Sequence, residues 1–313
     1  MIVAKQATAA INQTDDYQSY TALLATNTAE LTELWRRAFG NTAATALAAS
    51  WDTQNAYLVD YTIGAASHND ARSKAAMANL TQKFVPQFSG LTSDASRLPL
   101  DPVTLLLSQQ VLEDKAFIDD YAAHKWETFY NDLHRAYVQS ARFGDALSVE
   151  IAHRYPDKFP GDPELRAVNV RVSANTLLQE RSYLETMATA AKIASREPDY
   201  GFAIAAVLTN GKAVATVFAA TLGQDSASLD HALGDEALAL KGYATGESGK
   251  DEVLKNAELL PGITGASKQH VVDHANALLK VIDDQKAKSY VDIANDDRAA
   301  ATSTQPLADA IRG

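Results

Sequence analysis

The feature that most constrains this chain is that its second half is a blurred copy of its first. Asp16-Tyr17 to Phe39-Gly40 reappears as Asp199-Tyr200 to Leu222-Gly223 at a constant offset of 183 residues. Within that block Asn27 meets Asn210, Leu31 meets Val214, Leu34 meets Val217 and Trp35 meets Phe218. Further on, Ile118-Asp119-Asp120 matches Ile282-Asp283-Asp284, and Asn131-Asp132 matches Asn295-Asp296. The ends also match, Ala146-Leu147 to Ile151 against Pro306-Leu307 to Ile311. A repeat this long implies duplicated domains, because each unit is large enough to bury a core of its own. The expected boundaries are 1–155 for the first unit, 156–164 for a Pro-rich linker, and 165–313 for the second.

The punctuation reads as helix throughout. The chain is rich in alanine and 46% hydrophobic, with only 15 Gly and 9 Pro in 313 residues, a composition that favours helix. Leu23, Leu24, Thr28, Leu31, Leu34, Trp35 and Ala38 keep the 3.6-residue spacing of a helix face, and Gly40-Asn41 supplies a stop. A second helix is predicted over about 42–66. A third runs over about 71–88, capped by Asn69-Asp70. The Pro99–Pro102 break then precedes a fourth helix, with Asp101 as its cap and Leu105, Leu106, Val111, Leu112 and Ile118 on its inner face. Trp126, Phe129, Tyr130, Leu133 and Tyr137 belong to a last, aromatic helix, and Pro261-Gly262 marks the corresponding break in the second copy. No alternating strand pattern of useful length occurs. The expected fold is all-α, two tandem antiparallel helical bundles from an internal duplication.

Charge and composition exclude several functions. A net charge of -11 opposes nucleic-acid binding, which needs clustered cations. With no cysteine, zinc-thiolate sites, iron–sulfur clusters and thiol catalysis are ruled out. Phe202–Leu208 is the most apolar run and meets Thr209-Asn210-Gly211-Lys212, short of the ~20 residues a membrane span needs, so no span is expected. Neither a Gly-rich phosphate loop nor a Gly-x-Ser-x-Gly elbow is present. Met1–Lys5 leads into polar sequence and does not form a signal peptide. The long helical stretch 165–195 maps onto positions before Met1, so the first copy opens within its first helix. The expectation is an apolar groove beside Met1–Ala10, filled by self-association or by a partner helix.

The run LWRRAFG … AYLVDYTIGAASHND, followed by FIDDYAAHKW … AYVQSARFGDAL, resembles a family of exported bacterial helical-bundle repeats often labelled copper amine oxidase-like. LRAVNVRVSANTLLQERSYLETM carries the same outline in the second copy. The resemblance implies an extracellular or cell-surface protein, with histidines on several helices of each bundle that suit a transition metal or a tetrapyrrole. It gives no support to amine oxidase chemistry, which needs a modified tyrosine and a three-histidine copper site in a β-rich fold. This chain departs from that pattern. Gln54, Gln110 and Gln139 stand at the ligand positions of the first copy, and glutamine is a poor ligand for such metals. The second copy offers Glu180, Glu236 and His274, with Arg181 where a histidine is expected.

His270 and His274 sit at i and i+4, so both rings can face one ion. With Glu180 and Glu236 they make the candidate metal set. The alternative places His270 in solvent at the start of its helix. His124, Trp126, His134 and Tyr137 read as core packing with imidazoles at its edge, and Asp119-Asp120 and Asp283-Asp284 as carboxylates that face solvent or hold a neighbouring helix. Three function classes follow. The chain is a non-enzymatic structural or interaction protein of the cell exterior, a metal- or heme-type carrier using the second bundle, or a metal-dependent enzyme. The sequence favours the first.

Overall fold

A computed structural model describes residues 1–223, 225–260 and 265–310. Helices make up 84% of the chain, and the described residues contain no strand. The fold is all-α. The chain divides into two compact units, Met1–Pro163 and Glu164–Gly313.

The first unit opens with α1 (Ile2–Asn12), α2 (Tyr17–Phe39) and α3 (Asn41–Ala66). Gly40, at φ 86°, makes the turn between α2 and α3, a conformation that side-chain-bearing residues rarely adopt. The Asn69 side chain accepts from the Arg72 amide at 3.1 Å and starts α4 (Asp70–Asn79). A π-helical turn, Leu80–Phe84, joins α4 to α5 (Val85–Ser96). Pro86 explains that turn: it has no amide hydrogen and its ring crowds the preceding carbonyls, so the helix widens by one residue and continues. The predicted third helix therefore runs on to Ser96. Then come α6 (Leu100–Ala122) and α7 (Trp126–Arg154). Pro99 occupies the cap of α6, and Asp101 lies in its first turn without capping it.

The core of this unit is aromatic. The Phe88 ring meets Trp51 and Phe84 at 5.3 Å, Trp35 at 5.8 Å and Phe143 at 6.4 Å. Val3 of α1 packs against this cluster, and α1 is buried from Ala4 to Ala7. A groove of about 340 Å³ borders α1 at its other end, lined by Ala9, Gln13, Tyr17, Ile63 and Ala66. Three predicted core leucines face outward, Leu34 at 54%, Leu105 at 70% and Leu112 at 50% exposure. On α6 the inner face is Val103, Leu107, Val111, Asp114 and Ile118. Leu105 and Leu112 lie about half a turn away from that row.

The second unit comprises α8 (Arg166–Ile193), α9 (Glu197–Leu222), α10 (Ser226–Thr245), α11 (Lys250–Ala257), α12 (Lys268–Ala287), α13 (Ile293–Thr302) and α14 (Gln305–Asp309). The expected Pro261-Gly262 break lies outside the described residues. Asp225 caps α10 and Ser267 caps α12, each accepting a backbone amide. α8 is the central helix, in contact with α9, α10, α12, α13 and α14. From Glu180 to Thr189 every residue of it is buried, although that stretch includes Glu180, Arg181, Ser182, Glu185, Thr186 and Thr189.

α9 runs straight through Thr209-Asn210-Gly211-Lys212, where the sequence suggests a stop. Asn210 is buried and donates from Nδ2 to Leu177 O at 3.1 Å and Glu180 Oε2 at 2.9 Å. A Cβ on Gly211 would sit 3.1 Å from Arg181 Nη1. These two residues are the seat of α8. By length and composition alone, Glu197–Thr221 would reach across a membrane, but its inner face, Ala203, Val207, Val214 and Phe218, is packed inside the unit.

Candidate functional site: the charged centre of the second unit

α8 carries its polar side chains to a different neighbour at almost every turn. Arg181 is 2% exposed. Its Nη1 donates to Val207 O on α9 at 3.2 Å, and its Nη2 to Leu233 O on α10 at 2.6 Å. The same Nη2 lies 2.7 Å from Glu185 Oε1 and 3.5 Å from Glu236 Oε2. One turn on, Thr186 Oγ1 donates to Asp297 on α13 at 2.6 Å. Gln285 on α12 donates to Thr186 O and accepts from Thr189 Oγ1, both at 2.8 Å.

The electrostatics follow from burial. Desolvation pushes the Glu185 carboxyl up to about 8, against the pull of Arg181 and with the help of Glu236. Glu185 therefore holds its proton at neutral pH beside the Arg181 guanidinium. Desolvation pushes His274 below the usual imidazole range, although Glu236 opposes this, so the ring is neutral. Its Nδ1 lies 3.2 Å from Ala300 O and 2.9 Å from Ser303 Oγ. A carbonyl can only accept, which places the ring proton on Nδ1.

Of the four residues proposed as metal ligands, the structure brings Glu236 and His274 to one buried centre. Glu180 turns to Asn210 on α9. His270 is exposed in the first turn of α12, where its backbone amide donates to the Ser267 cap. Among the described residues, no group of three or more His, Asp or Glu side chains is arranged to hold a metal ion. The donor set does not fit a metal ion, because the Arg181 guanidinium already lies between the Glu185 and Glu236 carboxyls. Sequence reasoning placed Arg181 beside the site but missed Glu185. Its spacing of four residues from Arg181 on a helix is the signal that could have found it.

At the positions that the sequence aligns with these, the first unit carries glutamines. Gln110 donates to Asp114 Oδ1 at 2.8 Å and accepts from Ser140 Oγ at 2.8 Å, while Gln139 donates to Leu106 O at 3.1 Å. Gln54 is buried and its Oε1 has no protein partner. Burial pushes Asp114 up to about 7.

The two aspartate doublets have defined roles. Tyr61 on α3 donates to Asp119 at 2.6 Å, and Tyr243 on α10 donates to Asp283 in the same way. Lys115 pairs with Asp119, and Lys250 with Asp283. The second aspartate of each pair meets a carboxyl across the next turn, Asp120 with Asp132 and Asp284 with Asp296.

Neither the family models, nor the curated proteins, nor the solved structures contain a match to this chain.

Proposed function

We propose that the chain is a non-enzymatic structural or interaction protein built from two related helical bundles, and that it self-associates through the outer face of α9. The observation that carries this reading is the chemistry of that face. Gly201, Phe202, Ala205, Leu208, Thr209, Thr216 and Ala220 are exposed along it, Phe202 at 39% and Leu208 at 41%. Lys212 is the sole charged residue between Asp199 and Asp225. On the matching helix of the first unit, α2, the outer face carries Glu30, Glu33, Arg36 and Arg37. Copies of a chain with net charge -11 repel one another over most of their surface, so a face free of acidic groups is where they can meet. A groove of about 420 Å³ between α8 and α9 adjoins it, lined by Glu164 and Arg166 at one end and by Val170, Thr216, Val217 and Ala220. The interior supports the same reading, since the charged groups at the centre of the second unit are turned to one another.

The relatedness of the two units is supported by the Tyr–Asp bond and the carboxyl pair that each contains. An extracellular or cell-surface setting rests on the family resemblance of the sequence. Sedimentation velocity over a concentration series tests self-association. The wild type should form larger species, and Phe202→Glu with Leu208→Glu should return it to monomer. A wild type that stays monomeric at every concentration removes the proposal.

A further inference from the structure

The groove at the end of α1 has no charged residue in its lining. Ala9 and Ala10 of α1 face Ile63 and Ala66 of α3 across it, with Tyr17 at the start of α2. Its hydroxyls are already committed to the backbone. Thr14 Oγ1 donates to Ala9 O at 3.2 Å, and Ser67 Oγ to Ile63 O at 2.6 Å. What the groove offers is therefore about 340 Å³ of largely apolar space, on a chain that carries 28 basic and 39 acidic residues.

The border of the groove is acidic. Asp15 and Asp16 stand between two of its residues, Thr14 and Tyr17, in the turn from α1 to α2. Asp15 is exposed. Asp16 sits at the cap of α2 without bonding to the helix amides, and its Oδ1 has no protein partner. Among the described residues neither forms an ion pair. The outer face of α9 is the converse surface. Phe202 and Leu208 stand out from it, and Lys212 follows Leu208 by one turn on the same side. Lys212 is exposed and is likewise in no ion pair among the described residues. Packing α9 against a second α9 would offer it no acid of that helix, since none lies between Asp199 and Asp225.

Building on the reading that the chain self-associates through α9, we propose that α9 docks in this groove of a second copy. Leu208 enters between Ala10 and Ala66, and Lys212 reaches Asp15 and Asp16 at the border. The mode is a helix laid in a groove, with Phe202, Ala205 and Leu208 as its anchors. The apolar residues supply the buried area, and the single cation fixes direction and register against the two acids. Because the two surfaces differ, the contact is head-to-tail. Each docked pair still carries one open groove and one open α9, so addition continues beyond the dimer.

Sedimentation velocity of mixed variants of the full chain decides the matter. Ala66→Arg fills the groove and Leu208→Glu spoils α9, and each alone should stay monomeric with the circular dichroism of the wild type. Mixed in equal amounts, the two should form a 1:1 dimer and nothing larger, because one intact groove and one intact α9 remain between them. Lys212→Glu should weaken assembly about fivefold, and adding Asp15→Lys to it should restore the wild-type constant. An Ala66→Arg variant that assembles like the wild type overturns docking in the groove and leaves self-association through α9 standing. A mixture that stays monomeric does the same. A wild type that is monomeric at every concentration removes both readings. Should Ala66→Arg unfold the first unit, Ala10→Arg gives the same outcomes.

Discussion

The two units solve the same packing problem with opposite chemistry at their centres. In the second, α8 is surrounded on all sides and carries Arg181, Glu185, Thr186 and Thr189 into the core, where they key α9, α10, α12 and α13. In the first, α1 meets α2, α3 and α6 with alanines and with the buried Lys5 and Gln6, and aromatic rings of α2, α3 and α5 fill the space beyond it. A central helix can therefore be fixed by directional polar bonds or by ring packing. Polar bonds specify one rotation and one depth for the helix, at the cost of desolvating every group involved. Ring packing requires less desolvation and specifies less. The difference is clearest at one pair that the sequence aligns, Glu236, 3.5 Å from Arg181 in the second unit, and Gln54, whose Oε1 has no protein partner, in the first.

The largest effect should come from breaking the polar centre. Arg181→Met leaves Glu185 and Glu236 facing each other without a cation, and should destabilise the second unit by about 3–5 kcal/mol. All three tryptophans, Trp35, Trp51 and Trp126, lie in the first unit. Far-UV circular dichroism should thus show an early loss of helix while tryptophan fluorescence holds its wild-type midpoint. Coincident shifts of both signals would mean that the units do not unfold separately.

The converse change is Gln54→Glu. It puts the carboxyl of the second unit into the first without its guanidinium, and should cost about 2–4 kcal/mol at neutral pH. The loss should shrink in acid, where the new carboxyl is protonated. Here tryptophan fluorescence is the reporter. An equal loss at low and neutral pH would show that shape, and not charge, excludes glutamate there.

A third test acts on Glu185 alone. Burial raises its value from 4.5 to about 8, so its contribution to stability is complete below about 4.5 and is lost as pH rises through about 8. Glu185→Gln removes that dependence. The variant should gain on the wild type as pH rises from about 5 to about 8, by on the order of 1–3 kcal/mol at the upper end. Urea midpoints followed by circular dichroism across that range give the answer. A constant difference between the two proteins would mean that Glu185 does not titrate in the folded state.

The outline of this fold was legible because helices announce their ends. Gly40, the Asn69 cap and the Pro99 break can all be read without a structure: Gly40 ends α2, Asn69 starts α4 and Pro99 precedes α6. The inner faces were harder to read. Leu105 and Leu112 look like core residues by type, yet the row that faces inward on α6 includes Asp114 and excludes them. The centre of the second unit defeats periodicity altogether. A helix buried on every side has no polar face, so Glu180, Arg181 and Glu185 resemble an ordinary solvated run. Thr209-Asn210-Gly211-Lys212 misleads for a related reason. Asn and Gly are turn residues by backbone preference, but Asn210 is there to bind α8 and Gly211 to give it room.

Gly211 also provides the smallest and sharpest test of the comparison. Its counterpart is Thr28, whose Oγ1 donates to Leu24 O at 3.2 Å and accepts from Asn55 at 3.0 Å. The first unit therefore carries a bonded side chain at this position. In the second unit a Cβ would press on Arg181 Nη1 at 3.1 Å, and that guanidinium is already held by Val207 O, Leu233 O and Glu185. Alanine in place of glycine inside a helix is worth up to ~1 kcal/mol in propensity. The contact should cancel that gain, so Gly211→Ala should be neutral or destabilising by less than ~1 kcal/mol. In the Arg181→Met background the same substitution should stabilise by about 0.5–1 kcal/mol, because the atom it pressed on is gone. Gly201→Ala, where nothing lies within 4 Å of the added Cβ, is the control and should stabilise in both backgrounds. A Gly211→Ala effect of the same sign and size with and without Arg181 would show that the glycine is not kept for the arginine.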